Sequence, residues 1–269
     1  MTGKEIRLNR LFNGDLEKEN IIISAIDHGM FQGVQPGLEK MESILESSQT
    51  VDAILLGPGM IEHNRKYFHR AKPTLITRLG FTSAYCFPWD YHSGVTRRMF
   101  SPSYLQALGA DVIVTSFQLK TGSEQIDADN ASLWGEGVEE KERLGLPLMG
   151  EFHPAVYEDV ERDEWHDLIK RGCRILAELG ADLIKTFYTD ERFGEITQSV
   201  PVPIVVLGSK KLPEEIDALR LAEHAVAGGA RGVAIGRNIF QAKDPGKMIH
   251  ALRAVVKDKK SADESAALL

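Results

Sequence analysis

The chain has 269 residues, 43% of them hydrophobic and 26% charged, a composition that supports a large buried core and excludes a disordered, collagen-like or disulfide-built chain. Thirty-two Lys and Arg against 39 Asp and Glu leave a formal net charge of −7, which argues against a nucleic-acid binder whose affinity must come from neutralising phosphates. At roughly 150 residues per domain the length would allow two domains, yet α/β barrels often reach it as one.

The first residues, MTGKEIRLNRLFNG, carry charge where a secretory segment needs an unbroken apolar stretch. No run approaches the about 20 apolar residues of a membrane span, so no membrane partner is expected. Eight short runs rich in Val, Ile and Leu then follow: IIISAID (21–27), DAILL (52–56), TLITRL (74–79), DVIVTSF (111–117), LPLMGEF (146–152), DLIKTF (182–187), PIVVL (203–207) and GVAI (232–235). Longer amphipathic stretches separate them, among them LEKMESILESS after the first run and WHDLIKRGCRILAELGA before the sixth. Continuous apolar strands alternating with helices are the grammar of a parallel sheet covered on both faces. Eight such units predict a (β/α)8 TIM barrel, an α/β fold, over residues 1–257, with a polar tail or frayed helix over 258–269. Pro213 is expected to start the helix before the last strand and Gly228-Gly229 to end it. Residues 80–103 are expected as a long loop after the third strand, able to influence specificity.

Cys86 and Cys173 are too far apart for a ligand-like spacing, and Cys173 falls on the apolar face of a helix with Leu168, Leu176 and Leu179. Two ordinary reduced thiols imply a cytoplasmic protein. His28 with His92 or His153 has no metal-ligand spacing, so neither metal nor cofactor is expected.

In a barrel the chemistry sits at the C-terminal ends of the strands. Asp27-His28-Gly29 closes the first run, Arg78 the third, and Glu151 and His153 the fifth, while Lys185 lies within the sixth. Leu183, Lys185 and Phe187 share one strand face, so Lys185 points inward. Desolvation disfavours a buried ammonium, and a neutral amine is the nucleophile that forms a Schiff base with a carbonyl. An ion pair with Asp27 or Glu151 is the competing structural role. Asp27 could hold the lysine, act on substrate hydroxyls or cap a helix. His153 has the ordinary pKa of a general acid or base, and Glu151 shares the inward parity of a salt-bridge partner. LGSKK and IGRNIF, after the last two strands, stand where barrels build phosphate sites, which makes Gly208, Ser209, Lys210, Gly236 and Arg237 candidate phosphate contacts.

The segments SAIDHGMFQGVQPGLE and ADLIKTFYTDERFGEI, with VPVPIVVLGSKKLPEE and GVAIGRNIFQAKDP, resemble the class I aldolase family that contains archaeal-type fructose-bisphosphate aldolase. Aminodideoxyheptulosonate synthase and the thiolase that processes phosphorylated autoinducer-2 belong to the same family. The resemblance spans nearly the whole chain, and the combination of DHG, IKT, GSKK and GRNIFQ is far more specific than any one motif. It implies that Lys185 forms the Schiff base, that Asp27 is the first-strand aspartate, and that Gly208-Ser209-Lys210 and Gly236-Arg237-Asn238 bind phosphate. Two positions depart from the family pattern. His153-Pro154 stands where the aldolase and synthase members carry a proton-donating tyrosine before proline, and Ser209 where a second glycine is common.

The expectation is a cofactor-independent aldolase acting on a small phosphorylated keto compound, with His28, Arg78 and Glu151 as further substrate contacts. A homo-oligomer is expected. A transaldolase- or thiolase-like transferase using the same lysine, and a non-catalytic phosphosugar-binding barrel, remain open at this level.

Overall fold

The computed structural model describes residues 2–70, 72–91, 93–155 and 160–269. Eight parallel strands close into a barrel in sequence order: β1 (Ile21–Ala25), β2 (Ala53–Leu56), β3 (Thr74–Arg78), β4 (Val112–Phe117), β5 (Leu148–Phe152), β6 (Leu183–Thr186), β7 (Ile204–Leu207) and β8 (Gly232–Ile235). All eight predicted runs are strands. The ring shuts where β1 pairs with β8, Ile21 opposite Gly232 and Ser24 opposite Ile235. Gly232 has φ of 128°, and a Cβ there would lie 1.9 Å from the Ile21 carbonyl oxygen, so only glycine permits the closing strands to approach.

Strand periodicity divides the buried side chains between two compartments. Ile21, Ile23, Ala25, Ala53, Leu55, Ile76, Val112, Val114, Met149, Leu183, Val205 and Ala234 fill the barrel interior. The alternate positions, such as Ile22, Ile54, Ile113, Leu148, Ile184 and Val206, pack outward beneath the helices. Both faces are dry, which is why the strands read as unbroken apolar runs.

The N-terminal stretch is a helix, Thr2–Leu11, and it delivers Leu11 and Phe12, both fully buried, to the interior cluster. It closes the end of the barrel opposite the strand mouths. The helix Arg162–Glu178 buries His166, Ile169, Gly172, Cys173 and Leu176, so Cys173 is core as expected, whereas Leu179 is exposed. The helix expected from Pro213 spans Glu215–Ala227, because Glu214 and Asp217 form a reciprocal capping box that sets its start two residues later.

Residues 258–269 are not a loose tail. Ser261 and Glu264 cap a short helix, Ala262–Ser265, and Ala262 N–H donates to Glu223 at 3.0 Å. Ala262 is buried, and Leu268 and Leu269 rest against the outer core. The alanines and leucines at the end of this polar segment find an apolar seat that its composition alone does not announce.

The segment expected as a loop after β3 folds into an antiparallel hairpin, Gly80–Thr82 with Thr96–Arg98. Buried amides pin it down: the Gln118 carboxamide oxygen accepts from Thr82 at 3.1 Å and from Thr96 at 2.5 Å, and Asn130 donates to Gly94 at 2.9 Å. A single turn of 3-10 helix, Ser83–Tyr85, extends from it over the mouth of the barrel.

Candidate active site

Inward-facing residues at the C-terminal ends of the strands converge on a cavity of about 790 Å³, counting the space open to solvent at its mouth. Asp27, His28, Arg78, Glu151, His153, Lys185, Gly208, Ser209, Lys210, Gly236 and Arg237 all line it. Every candidate named from the sequence therefore meets in one place, except Asn238, which is buried behind the turns, and His92, which lies outside the described residues.

At the floor is a buried network of charges. Lys185 Nζ lies 2.5 Å from Glu151 Oε1, and Arg78 Nη2 lies 2.5 Å from Glu151 Oε2. The same guanidinium donates through Nε to Asp27 and, at 3.0 Å, to the Ser116 hydroxyl, which donates to Glu151 at 3.1 Å. Two cations thus face two carboxylates, and none of the four side chains is more than 7% exposed. Strand parity makes this assembly: residues 27, 78, 151 and 185 all fall on inward positions at nearly one level. Glu151 lies opposite Lys185 in the β5–β6 register.

Burial pushes the Asp27 and Glu151 carboxyls up, but Arg78 and then Lys185 outweigh it and hold both groups below the usual carboxylate range. Burial also works against the charge of Arg78, and the two carboxylates overcome it, so the guanidinium is held protonated. The structural role weighed for Lys185, an ion pair, exists in the resting site with Glu151 as partner. Pairing does not exclude nucleophilicity, since an iminium at this nitrogen would carry the same positive charge as the ammonium.

His153 corrects the expectation of an ordinary imidazole. It is buried, and burial pushes its pKa down to about 4 against the opposing influence of Pro154 and Glu151. The Pro154 carbonyl, which can only accept, lies 2.8 Å from Nδ1, so Nδ1 carries the hydrogen and Nε2 is the acceptor. At neutral pH His153 is a neutral base. His28 is likewise lowered to about 4 by burial, despite Asp27, and its ring edge meets Phe240.

These two imidazoles make a prediction about stability. Their folded pKa values lie below the unfolded value near 6.5, so the stabilisation is present above pH 6.5 and is lost as pH falls towards 4. For His153 the loss should reach about 3 kcal/mol. Urea denaturation at pH 7, 5.5 and 4.5 should show His153→Asn with a visibly flatter profile than the parent. Parallel profiles would refute the assignment.

The opposite wall of the cavity is built by the two glycine turns. Asn238 joins them: its side-chain nitrogen donates to the Gly208 carbonyl at 2.8 Å and the Lys210 carbonyl at 3.1 Å, while its oxygen accepts from Leu212 N–H at 2.8 Å. Ser209 sits at φ of 52°, the left-handed region that a glycine would occupy without cost. Gly236 presses against the first strand, where a Cβ would lie 2.5 Å from the Ala25 carbonyl oxygen and 2.4 Å from the His28 ring.

Sequence reasoning missed two contributors, Ser116 and Tyr85. Ser116 is an inward residue of β4 that the parity rule would have found. Asn238, named from the sequence with the second glycine turn, is the fully buried staple between the two turns. Tyr85 comes from the hairpin insertion, and no local pattern marks it as part of the site.

A family model for DeoC/LacD family aldolases matches residues 21–242. The chain is 33% identical to the 3-hydroxy-5-phosphonooxypentane-2,4-dione thiolase of Salmonella typhimurium, over 98% of this chain and 85% of that one. It is 28% identical to an uncharacterized aldolase of Saccharolobus solfataricus, with both chains fully covered. The crystal structure of an archaeal fructose 1,6-bisphosphate aldolase superposes with a TM-score of 0.80 at 25% identity, covering 94% of this chain and 98% of that one. A Schiff-base-forming fructose-1,6-bisphosphate aldolase superposes equally well, at 25% identity over 94% of this chain and 99% of that one. With the barrel, the inward lysine and the matched span together, this chain belongs to the DeoC/LacD family of aldolases.

Proposed function

We propose that this chain is a class I aldolase that makes or cleaves a carbon–carbon bond in a phosphorylated ketose or related keto compound through a Schiff base on Lys185. The observation that carries this reading is the position of Lys185, buried against Glu151 on the floor of a cavity whose other wall is two glycine turns. Lys185 attacks the substrate carbonyl, and the iminium then accepts the electron pair of the breaking bond. Glu151 stabilises the cation at that nitrogen, and Arg78 keeps Glu151 ionised. Asp27, held by Arg78, orients substrate hydroxyls, and Nε2 of His153 accepts a proton. His28 is a further substrate contact.

Gly208, Ser209, Lys210, Gly236 and Arg237 bind the phosphate. Their grip supplies binding energy remote from the reacting carbon and holds the carbonyl against the lysine. Incubation with dihydroxyacetone phosphate and borohydride should add the reduced ketone to the peptide containing Lys185. An adduct on Lys210 or Lys211 instead would sink the reading. Arg237→Ala should weaken binding of inorganic phosphate and of phosphorylated ketones by about 1.5–3 kcal/mol, measured by calorimetry, and leave unphosphorylated ketones nearly unaffected. Equal losses for both forms would remove Arg237 from the phosphate site.

A transferase reading is favoured by the higher identity to the thiolase. Dependence of bond cleavage on an added acceptor distinguishes it from a lyase. The reading includes a homo-oligomer, tested by sedimentation, and the cytoplasmic setting expected from two reduced cysteines.

A further inference from the structure

Schiff-base formation poses a proton problem that the floor of the site does not solve. An ammonium and a ketone become an iminium and water with no net gain of protons, but two hydrogens must travel from nitrogen to the departing oxygen. The last of these must arrive on the carbinolamine hydroxyl as its C–O bond breaks, which requires a donor on the pocket wall. Asp27 and Glu151 are ionised and only accept. His153 is neutral, with its one N–H committed to Pro154. The Ser116 hydroxyl is spent on Glu151.

Tyr85 is a further donor on this wall among the described residues. It lines the same cavity, and its ring makes edge contacts with His153 at 4.8 Å and Phe31 at 5.4 Å, with the Arg78 guanidinium 5.6 Å from its centre. Its hydroxyl is buried beside Ser116 and Glu151 yet makes a well-aligned hydrogen bond to neither. A buried hydroxyl without a partner costs free energy, and such a group inside a cavity is satisfied when a ligand brings an acceptor. The backbone around it is fixed: Gln32 donates to the Tyr85 carbonyl at 3.2 Å, and Thr82 caps the turn by accepting from Ala84 N–H at 3.2 Å. The hydroxyl is therefore preorganised by the hairpin insertion.

We propose that Tyr85 is a catalytic residue, the acid that donates its phenolic proton to the carbinolamine hydroxyl on Lys185 so that water departs. This rests on the Schiff-base reading of Lys185. The O–H bond of Tyr85 breaks, a new O–H bond forms on the leaving oxygen, the C–O pair leaves with water, and the nitrogen lone pair completes the C=N bond. The phenolate left behind faces Arg78. It regains a proton from water at the open mouth of the cavity, in exchange for the one that Lys185 shed on becoming nucleophilic. Burial, reinforced by the Glu151 charge, pushes the phenol well above its ordinary value, so Tyr85 rests as a donor at neutral pH.

The test is Tyr85→Phe in the full chain, which keeps the ring contacts and deletes only an unpartnered hydroxyl, so folding is retained. With dihydroxyacetone phosphate as probe, the rate of borohydride-trappable imine formation at Lys185 should fall about 10²–10⁴-fold. The unreduced variant should accumulate an adduct of the full ketone mass, without loss of water, while affinity for inorganic phosphate stays unchanged. Trapping at the parental rate, or a loss explained by weaker phosphate binding, overturns the role of Tyr85 and leaves Lys185 standing. Failure of the parent chain to trap the probe on Lys185 overturns the Schiff-base reading itself.

Discussion

Lys185→Met should reduce turnover by a factor on the order of 10⁴–10⁶, the scale seen when a covalent nucleophile is deleted. The loss should fall on kcat with phosphate affinity intact, because the two glycine turns lie on a different wall from the lysine. Stability should change far less than activity. Removing Lys185 leaves Glu151 still facing Arg78 at 2.5 Å and Ser116 at 3.1 Å, so each carboxylate keeps a partner although the two now share one cation. A single-turnover assay with borohydride trapping, run beside urea denaturation, separates the two effects. Turnover within tenfold of the parent would remove Lys185 from covalent chemistry.

Arg78→Met should show the opposite balance, a large loss of stability along with loss of activity. Arg78 is the one guanidinium shared by Asp27 and Glu151, and all three side chains are at most 4% exposed. Deleting it leaves Asp27 without its main partner inside a dry barrel, a change that costs about 3–5 kcal/mol. The pH dependence should invert as well. In the parent the folded carboxylates sit below their unfolded values, so their stabilisation is full above about pH 4 and is lost as pH falls through the folded values. In the variant burial dominates and raises the Asp27 carboxyl, so its contribution is present in acid and disappears as pH rises. The urea midpoint gap between parent and variant should therefore shrink between pH 7 and pH 4.5. A constant gap would mean that Arg78 does not neutralise these groups.

Much of this site was legible from local pattern. Strand period alone turns Lys185, Glu151 and Asp27 inward, and the βα order alone sends the glycine turns of LGSKK and IGRNIF to the end of the barrel where Lys185 lies. The two differences between pattern and structure share a cause. Sequence alone predicts an ordinary imidazole at His153, because its burial depends on Tyr85 and Phe187, whose rings meet it from other segments at 4.8 Å and 5.0 Å. The segment 80–103 reads as a loop because three-residue strands leave almost no periodic trace, and its hairpin is held by Gln118 and Asn130 from beyond β4.

By itself, then, the sequence determined the barrel, the inward lysine and the two glycine turns at its mouth, because each follows from backbone periodicity and glycine chemistry within a few residues. The tertiary structure alone decided which charges neutralise which. Asp27 and Arg78 are 51 residues apart, and Ser116 and Glu151 are 35 apart. It also decided that Leu11 and Phe12 plug the barrel, that Ala262, Leu268 and Leu269 pack against the outer core, and that Tyr85 joins the site. Charge pairing and burial are properties of what surrounds a side chain, and only the closed barrel brings those surroundings together.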